Sequence, residues 1–108
     1  MAQVLKAVTV AMLLLMGAVA PAAAPPVVVS SKLSSESAML GQMIRLLLED
    51  RGIPTLDRMT LGATPVVRKA LLAGEIDLYV EYTGNAGFFF NRPNDPAWKD
   101  LQLGYELG

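Results

Sequence analysis

The order strand, helix, strand, helix, strand, joined by short connections, predicts an α/β fold built on a parallel sheet with flanking helices. Three observations carry the prediction. β-branched and apolar runs recur at 27–31, 53–61 and 76–82. Two stretches with apolar residues at helical spacing, 36–51 and 65–73, lie between them. A glycine follows each helical stretch, Gly52 and then Gly74, where a chain leaving a helix needs a left-handed residue.

The 108 residues hold one small domain, and the first 24 read as a leader outside it. Lys6 precedes an apolar run at 7–20, and small residues follow. That is the order of a secretory signal, and the run falls short of the roughly 20 residues a spanning helix requires. Ala20-Pro21-Ala22, followed by Ala23, is the best small-x-small cleavage site. The expected product is a soluble periplasmic protein. With no cysteine, it has neither a lipid-modified N-terminal cysteine nor a disulfide.

Pro25-Pro26 is a stiff extended lead-in to the first strand, Val27-Val28-Val29-Ser30-Ser31. The polar stretch after it offers Ser34 or Ser35 as N-cap and Glu36 in the first turn, where the helix dipole favours an acid. In the helix over 36–51, the spacing assigns Leu40, Met43, Ile44, Leu47 and Leu48 to the buried face. Gln42, Arg45, Glu49 and Asp50 fall largely off that face. "IPTLDRMTL" reads as the second strand. In "GATP", Thr64 is positioned to cap a helix over 65–73 with Pro65 at its first position. The third strand spans 76–82. Beyond Asn85 come Phe88-Phe89-Phe90, read as packing, a turn rich in Pro, Asn and Asp, and one helix starting near Asp95.

Nine basic against ten acidic residues, scattered rather than clustered, argue against a nucleic-acid surface. The absence of histidine and cysteine excludes the usual zinc, haem and thiol chemistry and a Ser-His-Asp triad, and no cofactor is expected. In a parallel α/β sheet, ligands bind beyond the carboxyl ends of the strands. Three polar clusters fall there: Ser31-Lys32 with Ser34-Ser35-Glu36, then Gly62-Ala63-Thr64, then Tyr82-Thr83-Gly84-Asn85. They are expected on one rim. Each also has a plainer reading: Lys32 as a solvated loop lysine, Thr64 as a cap only, Tyr82 as an edge aromatic with a wet hydroxyl. Asp77 and Glu81, four apart on a strand, share a face but stand too far apart for paired acid–base work, so an enzyme is not expected.

"SSKLSSESAMLGQM", "LGATPVVRKALLAGEIDLYVEYTGN" and "NDPAWKDLQLGYE" together resemble the osmoprotectant-binding proteins of ABC importers, which bind glycine betaine, choline and related quaternary amines. The resemblance covers essentially all of the chain after the leader and implies a type II periplasmic-binding-protein fold. It implies that Lys32 helps bind a ligand carboxylate and that Tyr82 forms a wall of an aromatic cage around a trimethylammonium group. Many relatives place threonine where this chain has Asn85, whose amide donates the same bond. Thr64, on the same rim, completes the expected ligand-binding set. The resemblance also implies permease subunits as partners. Because the family has two lobes and a longer chain, residues 25–108 are expected to form the N-terminal part of the domain, an incomplete first lobe. The alternative reading is a related sensor domain for another small polar ligand, and a third is a small enzyme using Asp77 or Glu81. Asp77 and Glu81 receive no role from the resemblance.

Overall fold

The computed structural model describes residues 20–108. Most of the expected leader, positions 1–19 of 1–24, lies outside the described residues, and 20–26 run exposed without regular structure. Among the described residues no helix is long and apolar enough to cross a membrane. The elements are β1 (Val27–Lys32), α1 (Ser35–Asp50), β2 (Thr55–Gly62), α2 (Thr64–Leu72), β3 (Leu78–Tyr79), α3 (Ala86–Phe89) and α4 (Leu101–Leu107). Single 3₁₀ turns at Thr83–Asn85 and Pro96–Lys99 lie between the later ones.

The three strands form one parallel sheet in the order β2-β1-β3. The expected α/β class is the observed one. From β1 the chain steps sideways to β2, then returns past β1 to β3. With right-handed crossovers, these opposite steps put α1 and α2 on opposite faces. The reversal also makes the gap between the ends of β1 and β3 a topological switch point, where a parallel sheet opens a crevice.

The anticipated caps and stops govern α1. Ser34 Oγ accepts from the Ser37 N–H at 3.2 Å, and Glu36 sits in the first turn. At the far end Gly52 adopts φ +73° while its N–H donates to Glu49. The buried face differs from the expected one. Met43 and Leu47 are exposed, and the fully covered residues are Ser37 and Gly41. The helix lies too close to the sheet for large side chains there. A Cβ on Gly41 would stand 2.6 Å from Met59 Sδ and 3.3 Å from the Ser30 carbonyl oxygen. Hydropathy reported the bulky residues, whereas contact uses the small ones.

A bulge gives β2 its shape. Ser30 pairs with Arg58 and Lys32 with Gly62, so three residues of β2 face Ser31 alone. Two buried hydroxyls hold it: Ser30 Oγ donates to the Arg58 carbonyl at 2.6 Å, and Ser31 Oγ accepts from the Thr60 N–H at 2.7 Å. Within the bulge Thr60 takes φ +53°, costly for a β-branched residue.

Thr64 does not cap α2. Ala63 holds the N-cap position without a side-chain bond, and Thr64 is the first helical residue, with Pro65 next. α2 packs Val67 and Ala70 against Ile76, with Val28, Leu71 and Tyr79 at the margin of this cluster. β3 is two residues long, shorter than 76–82, because Asp77 pairs by a side chain and Val80 onward turns away to the rim. The late segment holds more than one helix: Asp95 caps the 3₁₀ turn Pro96–Lys99, and Asp100 caps α4. Of the phenylalanines expected to pack, Phe88 is 71% exposed, while Phe90 stacks on Trp98 with centroids 6.4 Å apart.

Candidate ligand-binding site

The rim between β1 and β3 gathers residues from three chain segments. Lys32 ends β1, and its backbone N–H donates to the buried Ser37 Oγ at 3.0 Å, tying the strand end to the first turn of α1. Glu81 and Tyr82 follow β3 by two and three residues, and Asn85 closes the 3₁₀ turn. The sharp break at Thr83-Gly84-Asn85 turns the chain so that the Asn85 side chain points back over the strand end.

Glu81 is the hub. Its Oε1 accepts from Lys32 Nζ at 2.6 Å, from Asn85 Nδ2 at 2.7 Å and from the Tyr82 N–H at 2.9 Å. Its Oε2 accepts from the Tyr79 hydroxyl at 2.9 Å. Partial burial pushes the Glu81 carboxyl up, but Lys32, Asn85, the Tyr82 N–H and Tyr79 together outweigh it and hold the group below its ordinary range, ionised. The same pairing raises Tyr79: burial first, then the hydrogen bond to Glu81, push its phenol up to about 12. Lys32 is only 14% exposed in its side chain, and its ammonium lies 5.0 Å from the centroid of the Tyr82 ring. That distance is within cation–π reach. Tyr82 is 41% exposed, and the Glu36 carboxylate is the main influence raising its hydroxyl above the ordinary value.

Two clefts open beside this cluster. One, of about 280 Å³, is lined by Tyr79, Glu81, Tyr82, Arg68 and Phe89 among others. The second, of about 500 Å³, is lined by Thr64, Pro65, Arg68, Asn85, Phe88 and Phe89. Arg68 faces both, and its guanidinium lies 4.6 Å from the centroid of Phe89. Of the four residues singled out from sequence, Lys32, Tyr82 and Asn85 therefore meet around Glu81. Thr64 stands apart from that hub, in the second cleft beside Asn85.

Sequence reasoning left Glu81 and Arg68 without roles. The spacing of Glu81 from Lys32, 49 positions, offers no local pattern. The earlier objection to Asp77 and Glu81 as a pair holds for a different reason: Asp77 is engaged with Val28, on the sheet rather than the rim.

Residues 25–107 match the family model described as the substrate binding domain of ABC-type glycine betaine transport system. The chain is 55% identical over 84 residues to the glycine betaine-binding protein YehZ of Escherichia coli (strain K12), covering 78% of this chain and 28% of that protein. It is 45% identical over 62 residues to the ergothioneine transport permease/ergothioneine binding protein EgtU of Helicobacter pylori (strain G27), covering 56% of this chain and 11% of that protein. Among solved structures, apo YehZ from Escherichia coli superposes with a TM-score of 0.74 at 54% identity, over 77% of this chain and 30% of that one. The chain thus spans less than a third of the length of these relatives. Its α/β architecture is that of YehZ, a type II periplasmic-binding-protein fold. The family is one of substrate-binding proteins rather than enzymes, and the chain belongs to it, as a member of the substrate-binding domains of ABC-type glycine betaine transport systems.

Proposed function

We propose that the chain contributes the rim of a site that captures a quaternary-amine osmoprotectant, glycine betaine or choline, in the periplasm and delivers it to the permease subunits of an ABC importer. The observation that carries this reading is the placement of Lys32 Nζ 5.0 Å from the Tyr82 ring at the mouth between β1 and β3. A quaternary ammonium has no N–H to donate, so ring quadrupoles hold it best, at about 0.5–2 kcal/mol per ring. A carboxylate a few bonds away wants a cation and amide donors, the chemistry of Lys32 and Asn85, with the Thr64 hydroxyl nearby. The names of the two relatives support the same class. Glycine betaine and ergothioneine each carry a trimethylammonium group and a carboxylate. Residues 1–24 act as the cleaved leader that exports the product.

Titration calorimetry with glycine betaine tests the reading, on the chain joined to the further length of the domain that its relatives carry. Tyr82→Ala weakens binding by about 1–3 kcal/mol through lost cation–π attraction and pocket area. Tyr82→Phe weakens it less, because the ring persists. Undiminished affinity in Tyr82→Ala would contradict the assignment.

A further inference from the structure

Arg68 is the cation that the two clefts share. It lines the smaller one with Tyr79, Glu81 and Tyr82, and the larger one with Thr64, Asn85 and Phe88. The ion pairs among the described residues engage Lys32, Arg45 and Arg92 and leave Arg68 out. Its guanidinium lies instead over the Phe89 ring, 4.6 Å from the centroid. Such a placement holds the charged group against a rigid surface and leaves its N–H edge open to an acceptor. Arg68 also acts on Tyr79, whose phenol burial and Glu81 push up and Arg68 draws down. The larger cleft presents a hydroxyl, an amide and a guanidinium beside two phenylalanine rings, and no acid lines it. A cleft of that make-up suits an anionic group on an apolar body. We propose that Arg68 is a further ligand-binding residue, a second cation at the carboxylate end of the site, which holds the acid of a zwitterion such as glycine betaine together with Asn85 and Thr64. The inference rests on the quaternary-amine reading of the site and adds to the roles of Lys32 and Asn85 in it.

The physical argument is one of charge balance. Lys32 Nζ is paired with Glu81 at 2.6 Å, so its charge is matched within the rim, although an ammonium has three N–H groups and this bond takes one. An incoming carboxylate therefore finds hydrogen bonds at Lys32 but little net attraction. Arg68 supplies that attraction. Asn85 links the two cations, because its Nδ2 donates to the same Glu81 oxygen as Lys32 and the residue also lines the cleft that holds Arg68. The guanidinium fork matches a planar carboxylate, which a point-charge ammonium does not.

The test titrates the chain joined to the further length of the domain that its relatives carry, and variants of it, with glycine betaine and with choline, which lacks the carboxylate. Arg68→Met removes the charge and keeps an unbranched apolar stem. It is expected to weaken glycine betaine by at least about tenfold and to leave choline within about twofold. Arg68→Lys keeps the charge without the fork and should fall between Arg68→Met and the unmodified protein. A role confined to packing on Phe89 would cost both ligands alike. In an NMR titration of the ¹⁵N-labelled unmodified protein, the Arg68 Nε–H signal, identified by its loss in Arg68→Lys, should shift with glycine betaine and not with choline. Equal losses for the two ligands in Arg68→Met, undiminished glycine betaine affinity there, or an unmoved Arg68 signal would overturn the proposal while leaving the ligand class standing. Failure of the unmodified protein to bind glycine betaine would overturn both.

Discussion

Asp77 and Val28 close the sheet on each other twice. The Asp77 N–H donates to the Val28 carbonyl at 2.9 Å, and the Val28 N–H donates to the Asp77 carboxylate at 2.7 Å. A side chain thus supplies the acceptor that a backbone carbonyl would offer in a regular ladder, just where β3 begins. It lets a strand of two residues stay in register with β1 and deliver Glu81 and Tyr82 to the rim.

Asp77→Ala removes that acceptor and is expected to lower unfolding stability by about 0.5–1.5 kcal/mol, read as a reduced denaturant midpoint. Asp77→Asn retains an acceptor oxygen and loses less. Equal losses for the two would mean that charge, not the hydrogen bond, is what matters.

Thr60 holds φ +53° in the bulge of β2, a conformation that disfavours a β-branched side chain. Asparagine tolerates it better, so Thr60→Asn is expected to raise stability by about 0.5–1 kcal/mol. The measurement is the same denaturant midpoint, and a lowered value would show that the Thr60 hydroxyl, which donates to the Met59 carbonyl at 2.8 Å, outweighs the backbone strain.

Tyr79 has its phenol raised from 10.0 to about 12, first by burial and then by Glu81. A folded-state value above the unfolded one means that this group's contribution to stability is fully present below about pH 10 and is lost as the pH climbs through about 12. In a phenolate absorbance titration, one tyrosine should therefore ionise well after an ordinary phenol. Tyr79→Phe removes that late step and flattens the corresponding loss of stability. Glu81→Gln brings the step down only part of the way, because burial remains. A late step that survives Tyr79→Phe would place it elsewhere.

Much of this architecture was legible because its determinants are local. Ser34, Glu36, Gly52 and Gly74 each act within a turn of their own position, and the strand–helix alternation follows from them and from periodicity. What was not legible depends on residues that hydropathy ignores or on partners far along the chain. The contact face of α1 is made by Ser37 and Gly41, whose smallness lets the helix approach and leaves no apolar trace. Sequence extends β3 over 76–82 because Ile76, Leu78, Tyr79, Val80 and Tyr82 outnumber Asp77 and Glu81 there, while its end is set by the turn that sends Glu81 to Lys32. The rim itself was anticipated from Lys32, Tyr82 and Asn85. The acid that binds them together was visible only once β1 and β3 were side by side.

Export is tested by fusing residues 1–24 to a reporter active only outside the cytoplasm. The fusion should be secreted and should lose its leader near residues 22–24, as read by the mass of the mature N-terminus. A secreted product that retains Met1 would contradict cleavage and favour an anchor.

The most direct test of the binding site is an amide correlation NMR titration of the ¹⁵N-labelled chain with glycine betaine, which detects weak as well as tight binding. Saturable shifts are expected at the backbone amides of Lys32, Tyr82 and Asn85 and at the Asn85 side-chain amide, with the α4 amides unmoved. The absence of any saturable shift, or shifts confined to residues away from the ends of β1 and β3, would contradict the assignment of this rim as the site that holds the quaternary amine.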